Sequence, residues 1–133
     1  MPDYAQGNYG PTRSTYGTSG PNWCRDVLEA ETHSILIDGS AMLAAFPSGV
    51  IPSGVGIVKV TSTGQGAPAG TASSTPAGYL LNELRVASGQ KYYQAVVHAG
   101  TVTERLLPAP TNGGTAGAAP TGFKAALTAV AHI

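Results

Sequence analysis

Three histidines, His33, His98 and His132, are the side chains best suited to move a proton or hold a metal, and Asp26, Glu29, Glu31 and Asp38 cluster near the first in sequence. Acid/base or metal chemistry needs such groups at a spacing that makes them converge. No HExxH, no histidine pair at helical spacing, no Gly-x-Ser-x-Gly elbow and no Walker loop occurs. Gly64-Gln65-Gly66 with Gly70 supplies glycines for a dinucleotide cradle, but Pro68 interrupts it and no helix pattern follows. Cys24 stands beside Trp23 and Arg25, where a cation favours the thiolate. A lone cysteine next to tryptophan in a short helical turn reads instead as a small apolar packing residue. As the one cysteine, it leaves no intrachain disulfide and no multi-cysteine zinc site. Glu83 with Arg85, and Glu104 with Arg105, read as solvated strand charges or contacts between subunits. The expectation is a protein that is not an enzyme, with no catalytic residue, metal or cofactor.

The elements around these residues are mostly strands. Residues 32–38 carry Ile35-Leu36-Ile37 and then Asp38-Gly39, a strand ending in a turn. After a short apolar piece at 41–46, two Pro-Ser-Gly-Val phrases lead into Val55, Ile57, Val58 and Val60, β-branched residues that suit a half-buried pleated surface. Residues 64–78 hold no side chain bulkier than Gln65 and read as a long surface loop. Strands follow at 79–86 and 91–99, joined by a hairpin-length connection at 87–90. In the second, Tyr93, Ala95, Val97 and Ala99 share one face, and Tyr92, Gln94, Val96 and His98 the other. Gly100 is read as turning the chain into a further strand at 101–107, and 108–121 as a second small-residue loop. Phe123, Ala126, Leu127 and Val130 recur at helical spacing, which predicts a short C-terminal helix over 123–133. The fold class is mainly β with that helix and an extended N-terminal arm.

Residues 1–22 space Tyr4, Tyr9 and Tyr16 among glycines and prolines with no periodic apolar pattern. Such a segment cannot bury enough surface to offset ordering costs of roughly 1 to 2 kcal/mol per residue, so it reads as an arm. Each tyrosine ring would bury roughly 150 Å² or more in a pocket, which suits an arm that orders on a partner. Behind Asn22 as a cap, residues 22–31 suit one or two helical turns. The organisation is thus an arm with a short helical turn over 1–31 and a β-rich domain over 32–133.

Composition limits the partners. The 133 residues suit one domain. Charged residues are only 11%, against roughly 25% in ordinary soluble domains, so much of the surface is expected to be covered or to carry uncharged polar groups. Seven basic and seven acidic side chains cancel, which removes the counterion-release drive for nucleic acid and the attraction to anionic lipid. No apolar stretch resembles a signal peptide or approaches the roughly 20 residues of a membrane span. Use without passage through the ordinary secretory route is expected.

Several phrases in order carry a resemblance: Ile35-Leu36-Ile37-Asp38-Gly39-Ser40, Ser48-Gly49-Val50-Ile51-Pro52-Ser53-Gly54, Gly56-Ile57-Val58-Lys59-Val60-Thr61, Ala77-Gly78-Tyr79-Leu80-Leu81, Ala95-Val96-Val97-His98-Ala99-Gly100-Thr101-Val102, Leu106-Leu107-Pro108, and the Ala-rich tail ending His132-Ile133. Over residues 32–133 the chain resembles the lambda-type head decoration proteins of tailed bacteriophages. The resemblance implies a homotrimer on the outer surface of the expanded head, at three-fold and quasi-three-fold positions, clamping major capsid protein subunits. It implies a virion protein made in the host cytoplasm, with an arm that adds to capsid strands. The arm here is longer and richer in tyrosine than lambda's own. Tyr4, Tyr9, Arg13 and Tyr16 are the expected capsid contacts, with Trp23 anchoring the arm's base. A different class of function is a β module that binds carbohydrate or a receptor through Trp23, Tyr79, Tyr92 or Tyr93. Exposed aromatics converging on a concave site would mark it.

Overall fold

The computed structural model describes residues 21–25 and 27–133, so Tyr4, Tyr9, Arg13 and Tyr16 lie outside the described residues. Among the described residues nine strands run in chain order: β1 (Cys24–Arg25), β2 (Glu31–Asp38), β3 (Val50–Ile51), β4 (Gly56–Val60), β5 (Gly66–Pro68), β6 (Ser74–Leu80), β7 (Leu84–Arg85), β8 (Lys91–Val102) and β9 (Val130–His132). Two short helices, α1 (Gly39–Ala45) and α2 (Phe123–Ala126), and 3-10 turns at Val27–Glu29 and Glu104–Leu106 complete the described elements.

Five strands close into a mixed barrel in the order β8-β2-β5-β4-β6 and back to β8, with β2–β5 parallel and the other pairings antiparallel. Closure follows from β8, which is long enough to serve two ladders. One edge pairs with β2, as in Ile37↔Tyr92 and His33↔Val96, while the other meets β6 at Tyr79↔Val97 and Leu80↔Val96. Past Gly100 the same strand continues, flanked by β1 and by β9. Strands β3 and β7 form a separate ribbon.

Side chains alternate across a strand, so consecutive apolar residues must bury on opposite faces. Ile57 and Val58, Leu80 and Tyr79, and Val96 and Val97 divide in this way. The first member of each pair joins Ile35 and Ile37 inside the barrel, where Met42 and Phe46, from α1 and its C-terminal end, also pack. The second members pack with Trp23, Phe123, Leu127 and Val130 in an outer core that the chain ends cover. The face separation read from residues 92–99 therefore holds at Val96 and Val97, and both faces are buried there.

Several sequence expectations give way to non-local pairing. The loop expected at 64–78 instead contains β5 and the part of β6 from Ser74 to Gly78, with Gly66, Ala67 and Pro68 buried. Small residues are needed because a Cβ on Gly66 would sit 3.1 Å from both Ile37 and Ile57. The strand expected at 79–86 breaks after Leu80, and Leu84–Arg85 pairs with β3. No separate strand fills 101–107; β8 runs to Val102 and a 3-10 turn follows. The helix over 123–133 is one turn long, because Val130–His132 leaves it to pair in parallel with β8. Of the one or two helical turns expected over 22–31, the described residues form a single 3-10 turn at Val27–Glu29, with β1 before it and Glu31 beginning β2. Asp38 caps α1 through a 3.1 Å hydrogen bond from the Ser40 N–H, so Asp38-Gly39 starts a helix.

Candidate docking face at the base of the N-terminal segment

Trp23 is fully buried. Its indole N–H donates to Ser53 Oγ at 2.9 Å, and the Ser53 hydroxyl donates to the Leu81 carbonyl at 2.7 Å. The ring packs at 5.9 Å from Tyr79, which in turn lies 5.5 Å from Phe123. The Thr103 N–H donates to the Trp23 carbonyl at 2.7 Å, continuing the β1–β8 pairing. The second Pro-Ser-Gly phrase is therefore the socket for this indole. Ser53 supplies the acceptor, and Gly54, at φ 96°, leaves the space, since a Cβ there would come within 2.8 Å of both Trp23 Nε1 and Pro108 Cδ.

Around this anchored base the surface changes character. Arg25, Thr103, Arg105, Leu106 and Ile133 line a cavity of about 470 Å³. Ile133 is held by two backbone bonds, donating to Val102 and accepting from Glu104, each at 2.9 Å. Three residues past Arg25 in the chain, Leu28 is fully exposed, and Leu106 and Ile133 are also exposed. Among the described residues neither Arg25 nor Arg105 forms an ion pair. Exposed aliphatics beside arginines free of salt bridges make a surface suited to a protein partner.

The other polar groups are occupied structurally. Glu104 pairs with Lys124 at 3.1 Å and accepts the Ala119 N–H at 2.8 Å, which holds its carboxyl below the usual range and pins the 108–121 loop. Its partner is thus Lys124 and not the neighbouring Arg105, whereas Glu83 and Arg85 do pair, at 3.8 Å. Asp38 is paired with Lys91. The Tyr79 hydroxyl lies 2.7 Å from His132 Nε2. Burial raises the phenol pKa well above its ordinary value, Glu104 adding to it, and burial lowers that of His132. Among the described residues no group of three or more His, Cys, Asp or Glu converges as a metal site. No family model, curated protein or solved structure matches the chain.

Of the residues expected to bind a partner, Trp23 is placed in the core, where it anchors the chain. The exposure of Leu28, Leu106 and Ile133 is not legible in the sequence, because a lone leucine or isoleucine carries no mark of exposure until its strand pairing is known. Arg105, read with Glu104 as a strand charge or a contact between subunits, lines the cavity beside Arg25 without that partner. Of the aromatics considered for sugar stacking, Tyr79 is buried, and Tyr92 is half-buried with its hydroxyl accepting the Ala87 N–H at 2.8 Å. Tyr93 is 73% exposed and stands apart from both Trp23 and Tyr79, which are buried.

Proposed function

We propose that this chain is a structural phage head decoration protein, without catalytic activity or cofactor, that docks as a homotrimer on the outside of the expanded capsid and clamps major capsid subunits. The ordered phrases across residues 32–133 support this reading, as does a β barrel with both faces of its central strands buried. The observation that carries it is Trp23 in its Ser53–Gly54 socket. Any partner gripped by the preceding residues is thereby coupled directly to the outer core.

In this reading residues 1–22 reach across a capsid subunit. Tyr4, Tyr9, Arg13 and Tyr16 make the contacts, and extended backbone augments a sheet edge. Three arms on one trimer turn later contacts into intramolecular ones, so modest single-arm affinity becomes firm attachment. The Leu106–Ile133 face meets the neighbouring protomer around the three-fold axis. Synthesis in the host cytoplasm and residence on the virion follow, with neither nucleic acid nor membrane as partner. The scattered and mostly buried aromatics do not favour the carbohydrate reading.

The test is co-sedimentation with expanded heads of the encoding phage stripped of this component, using the full chain and one lacking residues 1–22. Saturable binding at three copies per three-fold position, lost with the arm, is expected. Binding by neither version would overturn the proposal.

A further inference from the structure

The barrel has a second polar feature, which shares no lining residue with the cavity beside Arg25. His33 lies on β2 five residues before Asp38, the cap of α1, and so sits toward the end of the barrel away from that helix. His33 and Lys59 have the same strand parity as the inward-facing Ile35 and Ile57. Two register shifts bring further residues to the same place. Between Glu31 and Thr32 the β2–β8 ladder gains His98 as an extra residue, and the β4–β6 ladder gains Ala77 between Ile57 and Val58. Bulges re-aim side chains, and here both bulge residues line one cavity of about 370 Å³ together with His33, Lys59 and Thr75. The two imidazole rings meet edge to face, with centroids 4.7 Å apart.

Charge at this mouth has one sign. Lys59 forms no ion pair among the described residues, and neither imidazole makes a hydrogen bond there. No carboxylate lines this cavity or the adjoining one of about 350 Å³ that shares His33 and Lys59. Partial burial lowers the His33 pKa, and His98 and then Lys59 push it in the same direction. The remaining segments at the cavity, β6 and residues 126–129, contribute no charged side chain. The Lys59 ammonium and two imidazole N–H donors at one mouth suit a planar carboxylate, whose two oxygens can be shared among the three groups.

We propose that the barrel mouth binds a carboxylate, held by Lys59 with His33 and His98. A bound carboxylate supplies the countercharge that the mouth lacks and favours the protonated form of His33, whose pKa is lowered without it, so affinity rises as pH falls.

The test is imidazole NMR on the full chain, titrated separately with succinate, a short acidic peptide, inorganic phosphate and Zn²⁺ between pH 5.5 and 7.5. The expected result is saturable shifts of His33 and His98 but not His132 with a carboxylate, strengthening at lower pH. Succinate and peptide distinguish a free acid from an acidic segment of a partner. Lys59→Gln should weaken binding about fivefold or more, while Lys59→Arg keeps it within about twofold. His98→Gln serves as an independent variant, with unchanged His132 signals reporting an intact fold. Equal shifts at all three histidines, a response to phosphate alone, or binding of Zn²⁺ without any response to carboxylates would overturn the proposal.

Discussion

The Ser53 hydroxyl links two parts of the chain that are far apart in sequence, accepting from the Trp23 indole and donating to the Leu81 carbonyl. Ser53→Ala leaves a buried indole N–H without its acceptor, which should lower unfolding stability by about 1 to 3 kcal/mol. Adding Trp23→Phe removes that unsatisfied donor, so the double variant should lose less than the sum of the two single losses in a denaturant-melt cycle. The histidines set a pH dependence. His33 and His132 both have pKa values below 6.5 in the folded protein, chiefly through burial, so the unfolded chain binds protons more readily. The stability gained by keeping them neutral is complete above about pH 6.5 and declines as pH falls through their lowered values. Glu104 adds a second loss below its ordinary 4.5, where the Ala119 and Lys124 contacts that favour its ionised form are weakened. Urea midpoints measured from pH 8 to 4 should be level at first and then fall in these two stages.

Strand β8 is the element on which the others depend, since β1, β2, β6 and β9 all bond to it. Its central amides, from Ala95 to Val97, should be the slowest to exchange with deuterium, and those of 108–121 among the fastest. Gly78 faces this strand at φ 154°, where a Cβ would strike the Val97 carbonyl oxygen. Gly78→Ala should therefore cost about 2 to 4 kcal/mol or prevent folding, read by circular dichroism and thermal melting. The sequence made β2, β4 and the body of β8 legible, because Ile35 to Ile37, Ile57 to Val60 and Tyr92 to Val97 carry β-branched and aromatic residues in place. It concealed β5 and β9. Gly66 and Ala67 look like loop residues until the narrow interior around Ile37 and Ile57 is known, and Val130 fits a helical stripe until β8 offers it an edge. The candidate docking face was hidden for the same reason, as the positions of Leu106 and Ile133 are set by what β8 and β9 do.

On the scale of the whole molecule, the proposed trimer would rest on the Leu106–Ile133 face with Arg25 and Arg105 lining the same cavity. Leu106→Asp should shift sedimentation velocity from trimer toward monomer while leaving the circular dichroism spectrum unchanged, because the side chain lies outside both cores. Tyr4, Tyr9 and Tyr16 replaced together by Ser should leave the trimer intact and weaken capsid binding by an order of magnitude or more, roughly 1.4 kcal/mol per tenfold. The β1–β8 ladder also has a mechanical side. Tension applied along the axis of β1 would load its bonds to β8 and the Trp23 socket at the same time, so they would resist sliding together instead of peeling apart one at a time. A short ladder of this kind acts as a shear joint, and pulling from that end should meet a higher rupture force than pulling outward on β9.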